Sequence, residues 1–148
     1  MDRPVRARRV NWIVVALVLI AASIVGLVAT AGESPTTATV LFMNALSKGD
    51  AKALTERSYF NPERSRQEIE KDWAKTVDFG KYYMFIWKVE SDTRPTPDRA
   101  TVKMTVMRDV DKGSAYDENF SLDLIRVNGK WLVDVRSINR QLYPALPR

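Results

Sequence analysis

Proton transfer, nucleophilic attack and metal binding each need particular side chains, and this chain of 148 residues lacks most of them. It has no histidine and no cysteine. The commonest general base and the commonest transition-metal ligand are therefore missing. So are disulfides, thiolate nucleophiles, iron–sulfur clusters and cysteine zinc sites. Carboxylates remain, and one buried in apolar surroundings would have a raised pKa and could act as an acid or a base. Asp78, Asp109, Asp123 and Asp134 stand near expected strands. Asp123 lies between Leu122 and Leu124, and Asp134 between Val133 and Val135. Strand alternation puts both carboxylates on the solvent side if those neighbours face the core. Asp109-Val110-Asp111-Lys112-Gly113 resembles the start of a calcium loop, but it lacks the third acidic position and the closing glutamate, so it reads as a polar turn. Phosphate-binding and nucleophile-elbow motifs are absent. The expectation is a protein that is not an enzyme, with no catalytic residue, metal or cofactor.

Recognition chemistry is better represented. Tyr82, Tyr83, Met84, Phe85, Ile86 and Trp87 form an aromatic, apolar run and are the candidate partner or ligand surface. As a strand it places Tyr83, Phe85, Trp87 and Val89 on one face and Tyr82, Met84 and Ile86 on the other. One face can pack on helices. The other needs a cavity-bound ligand, another subunit or a second layer of core, and core packing in a central strand is the plainest of these. Base stacking on the rings would call for a basic surround. Of 23 basic residues, however, Arg3, Arg6, Arg8 and Arg9 account for four, and the chain after them carries 19 basic against 17 acidic residues. No nucleic-acid partner is expected.

The elements that must position these residues can be read from periodicity and punctuation. Ser34-Pro35 is a helix start, and Ala38, Leu41, Phe42, Ala45 and Leu46 follow at helical spacing up to Gly49. Asp50 can cap a short second helix. Asn61-Pro62-Glu63 reads as a third start, leading into a charged helix over residues 64–76 that is pinned by Ile69 and Trp73. Strand signals follow at residues 82–89, at 100–106, at 120–124 and at 131–135, with a proline-bearing loop at 93–98. Asn128-Gly129 is a hairpin turn signal, and residues 143–148 read as an extended tail. Helices first and then hairpin-spaced strands imply an α+β fold, with helices packed on a curved antiparallel sheet of about four strands.

Residues 10–31 contain no charged side chain. As a helix these 22 residues would reach about 33 Å, which matches a hydrocarbon core of about 30 Å. Trp12 stands where an indole favours the lipid boundary, and the four arginines before it place the head, residues 1–9, in the cytoplasm. A single-pass anchor in the cell membrane is expected, with residues 32–142 as an extracytoplasmic domain. Ala29-Thr30-Ala31 offers a cleavage site after Ala31 as the alternative, but the apolar run exceeds the roughly 7–15 residues of a signal core. Ala22, Gly26 and Thr30 recur every four positions, a spacing that permits close helix packing.

Residues 42–50, Phe-Met-Asn-Ala-Leu-Ser-Lys-Gly-Asp, with Leu54, resemble the opening helix and turn of the nuclear transport factor 2-like (cystatin-like) superfamily. Residues 128–135, Asn-Gly-Lys-Trp-Leu-Val-Asp-Val, are similar to its closing hairpin. The resemblance, to a membrane-anchored bacterial type, covers about residues 36–138. It implies a bent sheet wrapped around a long helix, with a cavity at the wide end. Such proteins include isomerases, dehydratases, ligand-binding proteins and noncatalytic assembly subunits, some of them scaffolds of bacterial secretion or conjugation machines. Their Asp–His catalytic arrangements cannot exist here. The expectation is a noncatalytic scaffold or accessory subunit, with lipid and other subunits or further copies of itself as partners. The alternatives are a binding module for a small apolar ligand and, behind it, a cofactor-free isomerase or hydratase.

Overall fold

The computed structural model describes residues 32–108 and 116–148. The head with Arg3, Arg6, Arg8 and Arg9, the apolar segment with Trp12, Ala22, Gly26 and Thr30, and the Asp109-to-Gly113 turn lie outside the described residues. Among the described residues no helix is long and apolar enough to cross a membrane.

Local chemistry sets the helices. Helix α1 (Pro35–Lys48) starts on Ser34, whose hydroxyl accepts from the Thr37 N–H at 3.0 Å, with proline in the first turn, where its missing N–H costs nothing. It stops at Gly49, whose φ of 67° is left-handed. The amides of Gly49 and Asp50 return to the Leu46 and Ala45 carbonyls. Asp50 then accepts from the Ala53 N–H at 3.0 Å and caps α2 (Ala51–Arg57). The third helix, α3 (Arg66–Phe79), begins later than Asn61-Pro62-Glu63 suggests. Its cap is Ser65, paired with Glu68 in a reciprocal capping box that satisfies two otherwise orphaned amides.

The sheet has five strands, one more than expected, in the order β1-β5-β4-β3-β2. Strand β1 (Ser58–Tyr59) pairs parallel with β5 (Lys130–Asp134), so the sheet is mixed and not purely antiparallel. Two residues are too short to carry a period, which is why β1 has no sequence signal. Strands β2 (Phe85–Thr96), β3 (Arg99–Arg108), β4 (Tyr116–Val127) and β5 form an antiparallel meander. The expected loop at 93–98 shrinks to a tight turn at Pro97-Asp98. Pro95 is tolerated because β2 is an edge strand and its register shifts between Thr93 and Thr96.

Alternation along the meander puts Val102, Met104, Val106, Leu122, Leu124 and Val133 on the inner face, all essentially without solvent contact. Phe42, Leu46, Leu54 and Trp73 cover them from the helices. Phe42 and Trp73 meet edge to face at 5.8 Å, and the Trp73 indole N–H donates to Ser58 Oγ at 2.9 Å. Asn128 and Gly129 both have positive φ, as a two-residue hairpin turn requires, and deliver Trp131 to the core at 3% exposure.

The end of the chain departs from expectation. Leu142, Tyr143 and Leu146 are buried, so residues 143–148 are a packed segment and not an extended tail. Their apolar side chains are spaced by prolines and follow neither helical nor strand period.

Trp131→Ala should lower the stability of a polypeptide spanning residues 33–148 by about 3–5 kcal/mol. Urea unfolding measures this, and a variant with an unchanged midpoint would show that Trp131 does not carry core packing.

Candidate functional site

The aromatic run divides sharply. Tyr83, Phe85 and Trp87 turn inward, with Phe85 buried and Trp87 packed against the core. Tyr82, Met84 and Ile86 turn outward, at 86%, 63% and 53% exposure. A central strand buried on both faces is thus corrected. Because β2 lies at the sheet edge and the helices pack on the inner side, Tyr82, Met84 and Ile86 are left exposed among the described residues.

On the inner side the C-terminal segment fills the space beside Phe85. The Tyr143 ring stands edge-on to Tyr83 at 5.4 Å and to Phe85 at 6.0 Å, favoured geometries for aromatic pairs. Gly80 makes this possible, because a β-carbon there would lie 2.3 Å from the Tyr143 hydroxyl. Burial pushes the Tyr143 phenol above its usual pKa, so it stays protonated. Polar contacts from separate elements hold the segment. Thr76 Oγ1 donates to the Ala145 carbonyl at 2.6 Å, the Tyr83 hydroxyl to that of Leu142 at 3.4 Å, and Arg64 to that of Arg148 at 3.0 Å. Arg108 also donates to the Gln141 carbonyl.

Arg108 and Glu118 form the charged part of this end. Alternation from Val106 and Phe120 brings both inward, and Arg108 Nε lies 2.8 Å from Glu118 Oε2. The guanidinium also covers the Phe120 and Tyr83 rings at 5.2 and 5.7 Å. Glu118 was not among the expected carboxylates. Its signal was its place two residues before Phe120, on the same face. Asp123 and Asp78 are exposed, and Asp134 accepts from the Arg136 N–H to start a short 3-10 turn (Val135–Ser137). Among the described residues, no group of three or more Asp or Glu side chains is placed to hold a metal.

On the outer face Ile86 stands opposite Met107 in register. An open cleft of about 350 Å³ runs along the strands from these two side chains past Lys88, Thr105 and Asp117. Of the six residues singled out in sequence, the structure therefore assigns three to closing the interior and leaves three at the surface.

No protein-family model and no curated protein sequence matches the chain. Solved structures do. A protein of Thiobacillus denitrificans named as a calcium/calmodulin-dependent protein kinase type II association domain superposes with a TM-score of 0.53 at 11% identity, over 69% of this chain and 90% of that one. An NTF-2-like protein of unknown function from Shewanella oneidensis gives 0.45 at 14% identity, over 68% and 94%. A ketosteroid isomerase-like protein from Erwinia carotovora gives 0.45 at 12%, over 66% and 86%. At such identities the likeness is one of fold. The described residues have the NTF2-like, cystatin-like fold, with three helices on a five-stranded mixed sheet.

Arg64 ties the C-terminal segment to α3 through Asp72, at 2.6 Å, and the hydrogen bond from Arg64 holds the Asp72 carboxyl below its usual pKa. A lowered carboxylate contributes stability above its unfolded-state pKa and loses it as pH falls through the folded-state value. Asp72→Asn should therefore cost about 0.5–1 kcal/mol at neutral pH and nothing in acid below that value. Urea unfolding at both pH values checks this, and a difference that persists in acid would exclude the ion pair as its source.

Proposed function

We propose that this chain is a noncatalytic, membrane-anchored accessory or scaffold subunit, with residues 10–31 as the anchor and the NTF2-like domain on the extracytoplasmic side. The observation that carries this reading is the outward face of β2. Ile86 is exposed opposite the half-buried Met107, and Met84 is exposed just before the strand, while the interior beside the same strand is occupied by the chain's own Tyr143 and Leu142. A binding module for a small apolar ligand would use that interior space, and the C-terminal segment would first have to leave it. An exposed apolar strip on an edge strand suits contact with another subunit, either a different membrane protein or a second copy. The nearly neutral, interspersed charge of the body and the lack of histidine and cysteine agree with assembly in place of turnover.

The anchor supports the same reading. It offers no ionisable group for ion or proton transfer, and Ala22, Gly26 and Thr30 offer a close-packing stripe to another transmembrane helix. Met84→Glu combined with Ile86→Lys should reduce recovery of the associated subunit, or of the homo-oligomer, at least tenfold in detergent extracts of the full chain. Thermal stability should change little, because both side chains are exposed. Native mass spectrometry reads the composition directly. Undiminished association would remove this face from the interface, and a retained apolar small molecule would favour the ligand-binding reading.

A further inference from the structure

The domain has two chemically distinct ends, and the chain enters it at one of them. Glu33 pairs with Arg57, and Thr36 Oγ1 donates to Asp92 Oδ1 at 3.4 Å, which places the start of α1 beside the later half of β2. From Asp92, β2 continues to the turn at Pro97-Asp98. The second hairpin turn, Asn128-Gly129, lies at the same end. Arg99 is in register with Ile125, and the Arg126 N–H donates to the Asp98 carbonyl at 2.8 Å. Tyr143, Arg108 and Glu118 occupy the opposite end of the strands.

Chain length makes this placement consequential. Glu33 is held by Arg57 and Pro35 opens α1, so Gly32 alone lies between the apolar segment and the first anchored residue of the domain. From Asp92 to Pro97 the strand advances five residues, about 16 Å. The two hairpin turns are the tips of this end. Both carry exposed or half-exposed basic side chains: Arg94 and Arg99 on one, Arg126 and Lys130 on the other. Asp92 and Asp98 are the acids among them. Asp92 is engaged by Arg94 at 3.0 Å, and Asp98 by the Thr96 hydroxyl at 2.7 Å. The basic excess of two on these tips equals that of the whole chain after residue 9.

Resting on the anchor reading above, we propose that the paired hairpin tips at Pro97-Asp98 and Asn128-Gly129 dock on the bilayer surface, held by Arg94, Arg99, Arg126 and Lys130 against anionic lipid headgroups. Beside a leaflet as anionic as the cytoplasmic one, each basic residue biases the population about fivefold, so a net excess of two gives roughly thirtyfold. That is weak for a freely diffusing protein. It suffices for a tethered one, because the tether supplies the local concentration and the charges need only select an orientation. Arg136, Arg140 and Arg148 are also exposed, but they follow β5 toward the other end. Docked in this way, the strands point their tips at the bilayer and carry Ile86, at the other end of β2, away from it.

The absence of cysteine makes the test direct, since an introduced thiol is the only one to label. Full-length Pro97→Cys and Ser137→Cys variants, each carrying a fluorophore, are reconstituted into phosphatidylcholine vesicles with or without phosphatidylglycerol. A spin-labelled headgroup lipid serves as quencher. Quenching at position 97 should exceed that at 137 severalfold in the anionic vesicles. It should fall severalfold in phosphatidylcholine alone, or when Arg99→Glu and Lys130→Glu are added. Equal quenching at the two positions would overturn the orientation. A difference indifferent to lipid charge and to charge reversal would overturn the electrostatic hold. A chain that fails to float with vesicles would overturn the anchor reading itself.

Discussion

Tyr143 packs edge-on against Tyr83 and Phe85, and the arrangement of the domain depends on that closure. A sheet whose inner face is built from valine, leucine and methionine cannot leave that face wet, because each such side chain gains about 1.5–3 kcal/mol on burial. Helices α1, α2 and α3 cover part of it. The segment after β5 covers the rest, bringing Ile138, Leu142, Tyr143 and Leu146 out of water. Ordering these last residues costs backbone entropy of about 1–2 kcal/mol each, so the apolar contacts are supplemented by bonds from Thr76, Arg64 and Arg108 to segment carbonyls. Gly80 is part of the same device, since only a residue without a β-carbon leaves room for the tyrosine hydroxyl.

Closing the inside fixes what the outside must do. Glu118, a carboxylate that alternation carries inward, meets Arg108 at 2.8 Å, and its charge serves to hold a guanidinium over two rings. The proposed recognition rests on the surface. There, among the described residues, β2 has no strand on its far side, and Met84 and Ile86 are exposed. An edge strand with apolar outward residues is a liability for an isolated protein and an asset for one that assembles. The charged hairpin tips at one end and the apolar strip near the other are compatible roles, because they occupy different parts of the same strands.

Features governed by local backbone chemistry were legible in the sequence. Ser34-Pro35, Gly49-Asp50 and Asn128-Gly129 each specify a conformation through two adjacent residues, and each forms as expected. The solvent-facing position of Asp123 followed from simple alternation. What was not legible depends on contacts remote in sequence. β1 exists only because β5 offers it a partner. The edge position of β2 is a property of strand order, which periodicity does not encode, and the strand expected from residue 82 starts only at Phe85, leaving Tyr82 and Met84 exposed before it. Ser65 displaced Asn61 as the start of α3 because its capping box with Glu68 satisfies both ends of the motif. The packed C-terminal segment was hidden by its prolines, which mark irregular backbone whether it is buried or loose.

The central claim is that the domain's interior is closed by its own C-terminal segment. Hydrogen exchange of the Leu142 amide, which donates to the Asn139 carbonyl at 3.0 Å, tests it most directly. If the closure is integral, this amide should be protected nearly as well as those between β3 and β4, and should exchange through global unfolding. Exchange at the rate of an open chain, with the sheet still protected, would mean that the segment leaves readily. The interior would then be available to a ligand, contrary to an assembly subunit that works through its surface.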